Sequence, residues 1–393
     1  MCQEGIIMGK YKWNLRDARE KKKELLQLFL HCENDDDRPN IYNSIMTYKE
    51  ILKTASQGDR DIFSSLDDMN TLIGDRIEEI AYIYNKTFDK DDKNYKRYKH
   101  LPSIICTVMN SYIPLFEHWQ FQPGILPKRI AADNDTLIEM ARDFFKEKTD
   151  YYICQEFEKI LTEDYNPLNI SYDNNPKRDH GGFTMFDSIN NRGYIYITRS
   201  NTVRDLYILP HEAFHFIFGD KQSGACYLGN GILIDEIDGW LSNILFEDYF
   251  LDNGPLQNNF FALDNRNQLF SLVENLLIRD SLLDSARQNK TVRLNKMNKF
   301  FDKFDCFFAD ENVLKMTLDM DFIPMLNYSY SMLAAIDLYY IYLEDPEKCF
   351  CLLKNIMNNI KCKNTMDMLR NNGITFMDDG YQNLIKYLKK EIS

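Results

Sequence analysis

Helical periodicity constrains the fold of this chain more than any other feature of its sequence. Apolar residues recur three and four positions apart over most of the 393 residues, and this spacing places them on one face of an α-helix. The chain is therefore predicted to be mainly α. The predicted amphipathic helices are Leu15–Leu30, Ile41–Ser56, Met69–Phe88, Asp135–Lys148, Tyr151–Leu161, Ile234–Leu251, Leu256–Arg287, Tyr328–Leu343, Pro346–Ile360 and Tyr381–Glu391.

One short region departs from the helical pattern. Residues 166–182 are rich in Asn, Asp and Pro, so we expect them to form a loop that leads into a strand. Phe183–Phe186 and Tyr194–Thr198 contain the β-branched and aromatic residues that strands favour. Residues 190–193 between them predict a hairpin turn. One small β-sheet is thus expected directly before residue 211.

Charge and cysteine usage limit the classes of partner and compartment. Lys and Arg total 47 against 60 Asp and Glu, for a formal net charge of −13. Such a surface repels phosphate backbones and anionic lipid, so neither nucleic acid nor membrane is an expected partner. No window approaches the roughly 18 apolar residues that span a bilayer. The nine scattered cysteines, and a start unlike a secretory signal, predict reduced thiols in a cytoplasmic protein.

The motif His-Glu-x-x-His is formed by His211, Glu212 and His215. Residues four apart lie on one face of a helix, so both imidazoles can reach one ion. Zinc suits imidazole nitrogen, and a catalytic zinc keeps a position open for water. Glu212 can take the proton of that water as a general base. The alternative interpretation is that the two histidines are ordinary surface or core residues.

A third protein ligand is available in Glu236, which lies 21 residues after His215. The interval between them contains four glycines, so it can turn and bring a second helix back against the first. Two neutral imidazoles and one carboxylate leave a zinc site with net positive charge. Asp235 and Asp238 are competing candidates on the same helix, interpreted as solvated carboxylates or as carboxylates that support a ligand.

Pro210 immediately precedes the first histidine of the motif. A proline inside a helix loses a hydrogen bond and clashes with the preceding turn, at a cost of about 3 kcal/mol or more. The helix is therefore either kinked at Pro210, or its regular part begins there, where proline is welcome.

Five segments, in chain order, resemble segments of the M3 zinc metallopeptidases, the family of oligoendopeptidase F and thimet oligopeptidase. Together they cover roughly residues 140–392. Residues 177–183 resemble the basic, glycine-containing stretch before the family's cleft strand, and residues 201–212 resemble the approach to its zinc helix. Residues 236–251 resemble the family's glutamate-ligand helix, and residues 324–330 resemble its tyrosine-rich segment. Residues 369–392 resemble its closing helix–loop–helix.

The resemblance implies a helical, two-lobed zincin with a deep channel that admits short unfolded peptides. Residues 1–135 would form an N-terminal helical lobe, and residues 136–393 the catalytic domain with its small sheet beside the motif helix. The implied activity is zinc-dependent hydrolysis of peptide bonds in short peptides. The substrate could be one dedicated peptide.

The resemblance also assigns roles to individual residues. His211, His215 and Glu236 would bind one Zn²⁺ per chain, and Glu212 would act as the general base. Tyr330, or alternatively Tyr328, would donate a hydrogen bond to the oxyanion. A phenol suits that task because it donates a strong hydrogen bond without carrying charge.

The chain departs from the family pattern at several positions. Phe214 replaces a glycine, which predicts a bulkier helix face beside the metal. No histidine occurs near Met320, and His180 is either its substitute or an ordinary loop residue. Asn243 stands where the family often has a second glutamate. A specialised peptidase fits these departures as well as a broad oligopeptidase does. The competing hypotheses are a non-catalytic peptide-binding protein and a metal-free structural protein.

Overall fold

The computed structural model describes residues 11–32, 37–56, 132–172, 181–202, 204–219, 236–253, 265, 268–269, 322–359, 365–376 and 382–390. These residues are mainly helical with one small three-stranded sheet, so the predicted fold class is confirmed. Within the described ranges, no helix is both long and apolar enough to cross a lipid bilayer. The elements in chain order are α1 (Leu15–Leu30), α2 (Arg38–Ser56), α3 (Asn134–Lys148), α4 (Tyr151–Thr162), β1 (Leu168–Tyr172), β2 (Gly182–Asp187), β3 (Arg192–Arg199), α5 (Asp205–Phe218), α6 (Ile237–Asn253), α7 (Phe322–Glu344), α8 (Pro346–Asn358), α9 (Thr365–Asn371) and α10 (Gln382–Lys389).

Short polar side chains determine where several helices begin. The side chains of Asn14, Asp133, Asp150 and Asp345 each accept a hydrogen bond from the backbone N–H three residues later, at 2.8 to 3.2 Å. Each bond satisfies one of the donors that the first turn of a helix leaves without an internal partner. Pro346 adds its preset backbone angle at the start of α8. The predicted starts of α1, α3, α4 and α8 agree with the structure to within one residue.

Other helix predictions differ from the structure or lie outside it. The predicted helix Met69–Phe88 lies outside the described residues, and within Leu256–Arg287 only residues 265, 268 and 269 are described, all helical. Helix α7 begins at Phe322, six residues before its predicted start at Tyr328. Pro324 is accommodated because it falls in the first turn, where its missing N–H costs no helical hydrogen bond.

The sheet has the strand order β1–β3–β2, with β3 parallel to β1 and antiparallel to β2. Strand β1 corrects the prediction that all of residues 166–182 form a loop. Asn169 and Ser171 lower the local strand propensity, but pairing with β3 overrides it. Leu168 and Ile170 are buried, and the Ile170 N–H donates to the carbonyl of Tyr11 at 3.0 Å.

The turn between β2 and β3 lies two residues earlier than predicted, at residues 188–191. The carboxylate of Asp187 accepts hydrogen bonds from the N–H groups of Ile189 and Asn190, both at 3.1 Å. Asn191 adopts a φ of 51°, which asparagine tolerates better than most residues. The local chemistry of Asp and Asn therefore sets the turn, and Gly193 lies within β3.

Backbone contacts divide the chain into two compact units, and the first comprises residues 1–67 and 126–226. Within it, α1 and α2 pack on each other, and α2 packs on the sheet. Tyr194 and Tyr196, on one face of β3, join the buried cluster around Trp13 and Tyr48. Because side chains alternate along a strand, the other face of β3 is available to α5, which contacts it. The predicted lobes, 1–135 and 136–393, remain a prediction.

The second unit comprises residues 68–125 and 227–393. Helix α7 packs against α6, α8 and α10, and buried carboxylates there have hydrogen-bond donors, as burial of a charge requires. Glu247 accepts from the hydroxyl of Tyr387 at 2.7 Å. Asp337 accepts from the backbone N–H groups of Thr375 at 2.8 Å and Phe376 at 2.7 Å. These bonds attach the C-terminal segments to α6 and α7.

Candidate metal centre

Helix α5 carries the His-Glu-x-x-His motif and begins at Asp205, five residues before Pro210. The interpretation that its regular part begins at Pro210 is therefore wrong. The buried carboxylate of Asp205 organises the start, because it accepts hydrogen bonds from the N–H groups of Ser200 at 2.9 Å and Asn201 at 2.7 Å. Asn201 has a φ of 57°, which completes the turn from β3 into α5.

Arg199 links this turn to the start of α3. Its guanidinium donates to the carbonyl of Ala132 and to the side chain of Asn134, and to the side chain of Asn201 at 2.8 Å. Its Nε also lies 4.0 Å from the carboxylate of Asp205. Burial lowers the pKa of the Arg199 guanidinium from its usual value because desolvation disfavours the charged form. Arg199 and Asp205 thus hold the two ends of the turn that leads from β3 into α5.

One side of α5 packs into an aromatic core. Phe214 is fully buried, with its ring centroid 5.7 Å from that of Phe145 and 6.3 Å from that of Phe144, both on α3. Phe218, one turn later, lies 5.4 Å away. This placement corrects the expectation of a bulkier helix face beside the metal, because the Phe214 ring fills the core that α3 and α5 share.

Another side of α5 lies very close to the sheet. A Cβ added at Gly193 of β3 would lie only 2.5 Å from the ring of Phe216 and 3.1 Å from that of Phe186. Real Cβ atoms do not approach other carbons so closely. The missing side chain at Gly193 therefore allows α5, the helix that carries the motif, to approach the strands.

The two histidines of the motif converge on one point. The Nε2 atoms of His211 and His215 are 3.1 Å apart, and their rings are perpendicular with centroids 4.7 Å apart. Both side chains are partly exposed. A tetrahedral zinc with Zn–N bonds of about 2.0–2.1 Å separates two nitrogen ligands by about 3.3 Å. The observed separation already suits two ligands of one zinc ion.

Glu236, the predicted third ligand, is the residue before α6 and belongs to the second unit, so its place beside the two histidines remains a prediction. Two imidazoles and one carboxylate form a donor set that suits zinc and leaves a coordination position open. Of the competing carboxylates, Asp238 is fully buried and accepts a hydrogen bond from the N–H of Gly239 at 2.8 Å. Asp235 lies outside the described residues.

Glu212 is buried on the side of α5 that faces β2. The hydroxyl of Thr184 lies 2.8 Å from its Oε2 and 3.0 Å from its backbone oxygen. A Cβ at Gly182 would lie 2.6 Å from its Cγ and 2.9 Å from its Oε1. Sequence reasoning missed both neighbours. The pair Gly181-Gly182 at the start of β2 was the available signal for Gly182, since glycine in a strand often marks a close approach, and Thr184 offered no signal.

The tyrosines predicted to bind the oxyanion lie on α7. Tyr328 is partly buried, and its ring meets that of Trp240 edge-on at a centroid distance of 6.3 Å. The backbone of Tyr330 lies in α7, whereas its side chain is outside the described part of the chain. His180 and Met320 also lie outside the described residues. The roles of both tyrosines therefore remain predictions.

Comparison with known proteins identifies the fold. No protein-family model and no curated protein sequence matches the chain. A 3.1 Å X-ray structure assigned as oligoendopeptidase F matches with a TM-score of 0.56 at 10% identity, covering 96% of this chain and 75% of that one. At this identity the match shows the fold, which agrees with the M3 resemblance at that level.

Two further structures have lower TM-scores. One, assigned as oligoendopeptidase F from Bacillus anthracis, has a TM-score of 0.49 at 10% identity and covers 92% of this chain. The other, PZ peptidase A with an inhibitor, has a TM-score of 0.47 at 11% identity and covers 98% of this chain. This chain spans 64% of the first of these proteins and 71% of the second.

Proposed function

We propose that this chain is a zinc metallopeptidase that hydrolyses peptide bonds in short peptides. The observation that carries the proposal is the 3.1 Å separation of the Nε2 atoms of His211 and His215. A helical fold like that of a structure assigned as oligoendopeptidase F supports it. The histidine geometry and the fold are compatible with many substrates. The class of short peptides follows from the resemblance to the M3 family.

Three side chains would hold one zinc ion: His211, His215 and Glu236. Their donor types suit zinc, and the spacing of the two imidazole nitrogens agrees with a tetrahedral site. When bound, zinc supplies Lewis acidity, which makes water a better nucleophile near neutral pH and polarises a carbonyl group. Orientation and proton transfer are the task of the chain's own residues.

Glu212 is the residue that would move protons. As the oxygen of water attacks the carbonyl carbon of the scissile bond, the Glu212 carboxylate takes a proton from that water. As the C–N bond breaks, the same group gives the proton to the leaving amine nitrogen, so one carboxylate acts first as base and then as acid. Tyr330, or alternatively Tyr328, would donate a hydrogen bond to the oxygen that gains negative charge.

The partner class and the compartment belong to the same proposal. The net charge of −13 is unfavourable for nucleic acid and anionic lipid, whereas it does not oppose neutral or cationic peptides. The described cysteines Cys32, Cys154, Cys349 and Cys351 are free thiols, as expected in a reducing compartment. We therefore expect a cytoplasmic enzyme that acts on short peptides. Its substrate could be one dedicated peptide.

The test compares Glu212→Gln with the wild type on a mixture of short peptides, followed by mass spectrometry with and without a chelator. Loss of the proton acceptor should lower turnover by about 100-fold or more, while zinc stays bound at one ion per chain. Glu20→Gln is the matched control, since Glu20 is exposed and forms its ion pair with Arg16 of its own helix. It should retain wild-type turnover.

Metal content is measured in parallel by elemental analysis. His211→Ala and His215→Ala should each lose stoichiometric zinc along with activity. Full turnover in Glu212→Gln would rule the mechanism out. Zinc-loaded wild type that binds peptides without cutting them would favour a non-catalytic peptide-binding protein, and protein without stoichiometric zinc would favour a structural one.

A further inference from the structure

Strand β2 contacts Glu212 at two positions on the same strand face. Gly182 and Thr184 are two residues apart, so both project to one side of the sheet. Thr184 pairs with Ile195 across the antiparallel ladder, and residue 195 belongs to the face of β3 opposite the buried tyrosines Tyr194 and Tyr196. The strand therefore presents this pair of positions to α5, where Glu212 lies.

The Thr184 hydroxyl reaches two oxygens of the same residue. It lies 2.8 Å from Oε2 of Glu212 and 3.0 Å from its backbone oxygen. A hydroxyl carries one proton and donates to one of them at a time, and a bond to the charged carboxylate is the stronger of the two. The bond to Oε2 holds the Glu212 carboxylate on the sheet side of α5, whereas the bond to the backbone oxygen would hold the helix itself against β2.

Thr184 is well suited to hold another group in place. As a β-branched residue it has few side-chain rotamers in a strand, and it lies in the middle of β2, which pairs with β3 along its whole length. Its hydroxyl is therefore oriented before any contact with Glu212 forms, so little additional side-chain entropy is lost. Gly182, one pleat away, leaves the space that the carboxylate occupies.

We propose that Thr184 is a positioning residue that holds the Glu212 carboxylate in its working orientation, with Gly182 providing the room. This inference rests on the proposed function, since it gives Glu212 a proton to transfer. Thr184 itself touches neither the substrate nor the metal ligands in this scheme. It acts through Glu212 alone, so its loss should lower the rate of the chemical step and leave zinc binding intact.

The experiment compares three variants of the full chain, loaded with zinc. Thr184→Val keeps the shape and the β-branching but removes the hydroxyl, whereas Thr184→Ser keeps the hydroxyl. Thr198→Val makes the same chemical change at a β3 position that shares its strand face with Tyr194 and Tyr196. We expect kcat to fall about 10-fold to 100-fold in Thr184→Val, with KM within about twofold of wild type. Thr184→Ser and Thr198→Val should stay within about threefold of wild type.

Two further measurements make the result decisive. Elemental analysis should find one zinc per chain in every variant. Crystal structures should show a single Glu212 orientation in wild type and Thr184→Ser, and a changed or divided orientation in Thr184→Val. Wild-type kcat in Thr184→Val, an equal loss in Thr184→Ser, or loss of zinc together with activity would each overturn the inference.

Failure of the proposed function is distinguishable from failure of this inference. If the zinc-loaded wild type cuts no peptide, the proposed function is refuted, and the crystal structures alone then decide the positioning role. An unchanged Glu212 orientation in Thr184→Val would refute that role, and a lost orientation would support it.

Discussion

Replacing Gly182 by alanine should displace the general base without removing it. The Cβ that Gly182→Ala adds would lie 2.6 Å from Cγ, 2.9 Å from Oε1 and 3.0 Å from Cδ of Glu212. Carbon atoms in contact prefer a separation of about 3.5–4.0 Å, so the Glu212 side chain must move by about 1 Å. It is buried and hydrogen-bonded to Thr184, which limits the ways in which it can move.

A displacement of this size has a predictable effect on rate. Misplacing a catalytic group by about 1 Å can cost about 100-fold, which corresponds to about 2.7 kcal/mol of activation free energy. We therefore expect kcat of Gly182→Ala to fall about 100-fold, with zinc content unchanged. The assay is cleavage of a quenched fluorescent peptide under saturating substrate, together with elemental analysis of the same sample.

Gly181→Ala is the matched control, since a Cβ at Gly181 meets nothing within 4 Å. It introduces the same methyl group one residue away and should keep wild-type kcat. Wild-type kcat in Gly182→Ala would refute the steric argument. So would an equal loss in both variants, because the effect would then come from the backbone of this segment and not from contact with Glu212.

Two further predictions concern stability and are measured by urea unfolding of the purified protein. Phe214→Ala should lower the free energy of unfolding by about 3–5 kcal/mol, because the ring is fully buried against Phe144 and Phe145. A loss below about 1 kcal/mol would show that the Phe214 ring is not packed as described. Asp205→Ala should lower the free energy of unfolding by about 2–4 kcal/mol, because the N–H groups of Ser200 and Asn201 lose their acceptor. An unchanged midpoint of urea unfolding would contradict this account of the start of α5.

Local sequence patterns were sufficient for much of the helical fold and for the approach of the two motif histidines to each other. Helix starts capped by Asp133 and Asp150 depend on neighbours three residues away, so they are readable from the chain itself. The His211–His215 pair has the same basis, because a helix places residues four apart on one face. Glu236 was predicted as the third ligand from a count of residues and glycines, and that role remains a prediction.

Tertiary contacts decided what local pattern could not express. Strand β1 lies in a stretch of polar and turn-forming residues, and its hydrogen bonds come from β3 and from Tyr11. Thr184 and Glu212 are 28 residues apart, and only the packing of α5 on β2 brings them together. Phe214 was placed beside the metal by its position in the motif, whereas the aromatic residues of α3 determine that it fills the core. The spacing of residues along one helix is a property of the backbone, whereas a contact between distant segments depends on how whole elements pack.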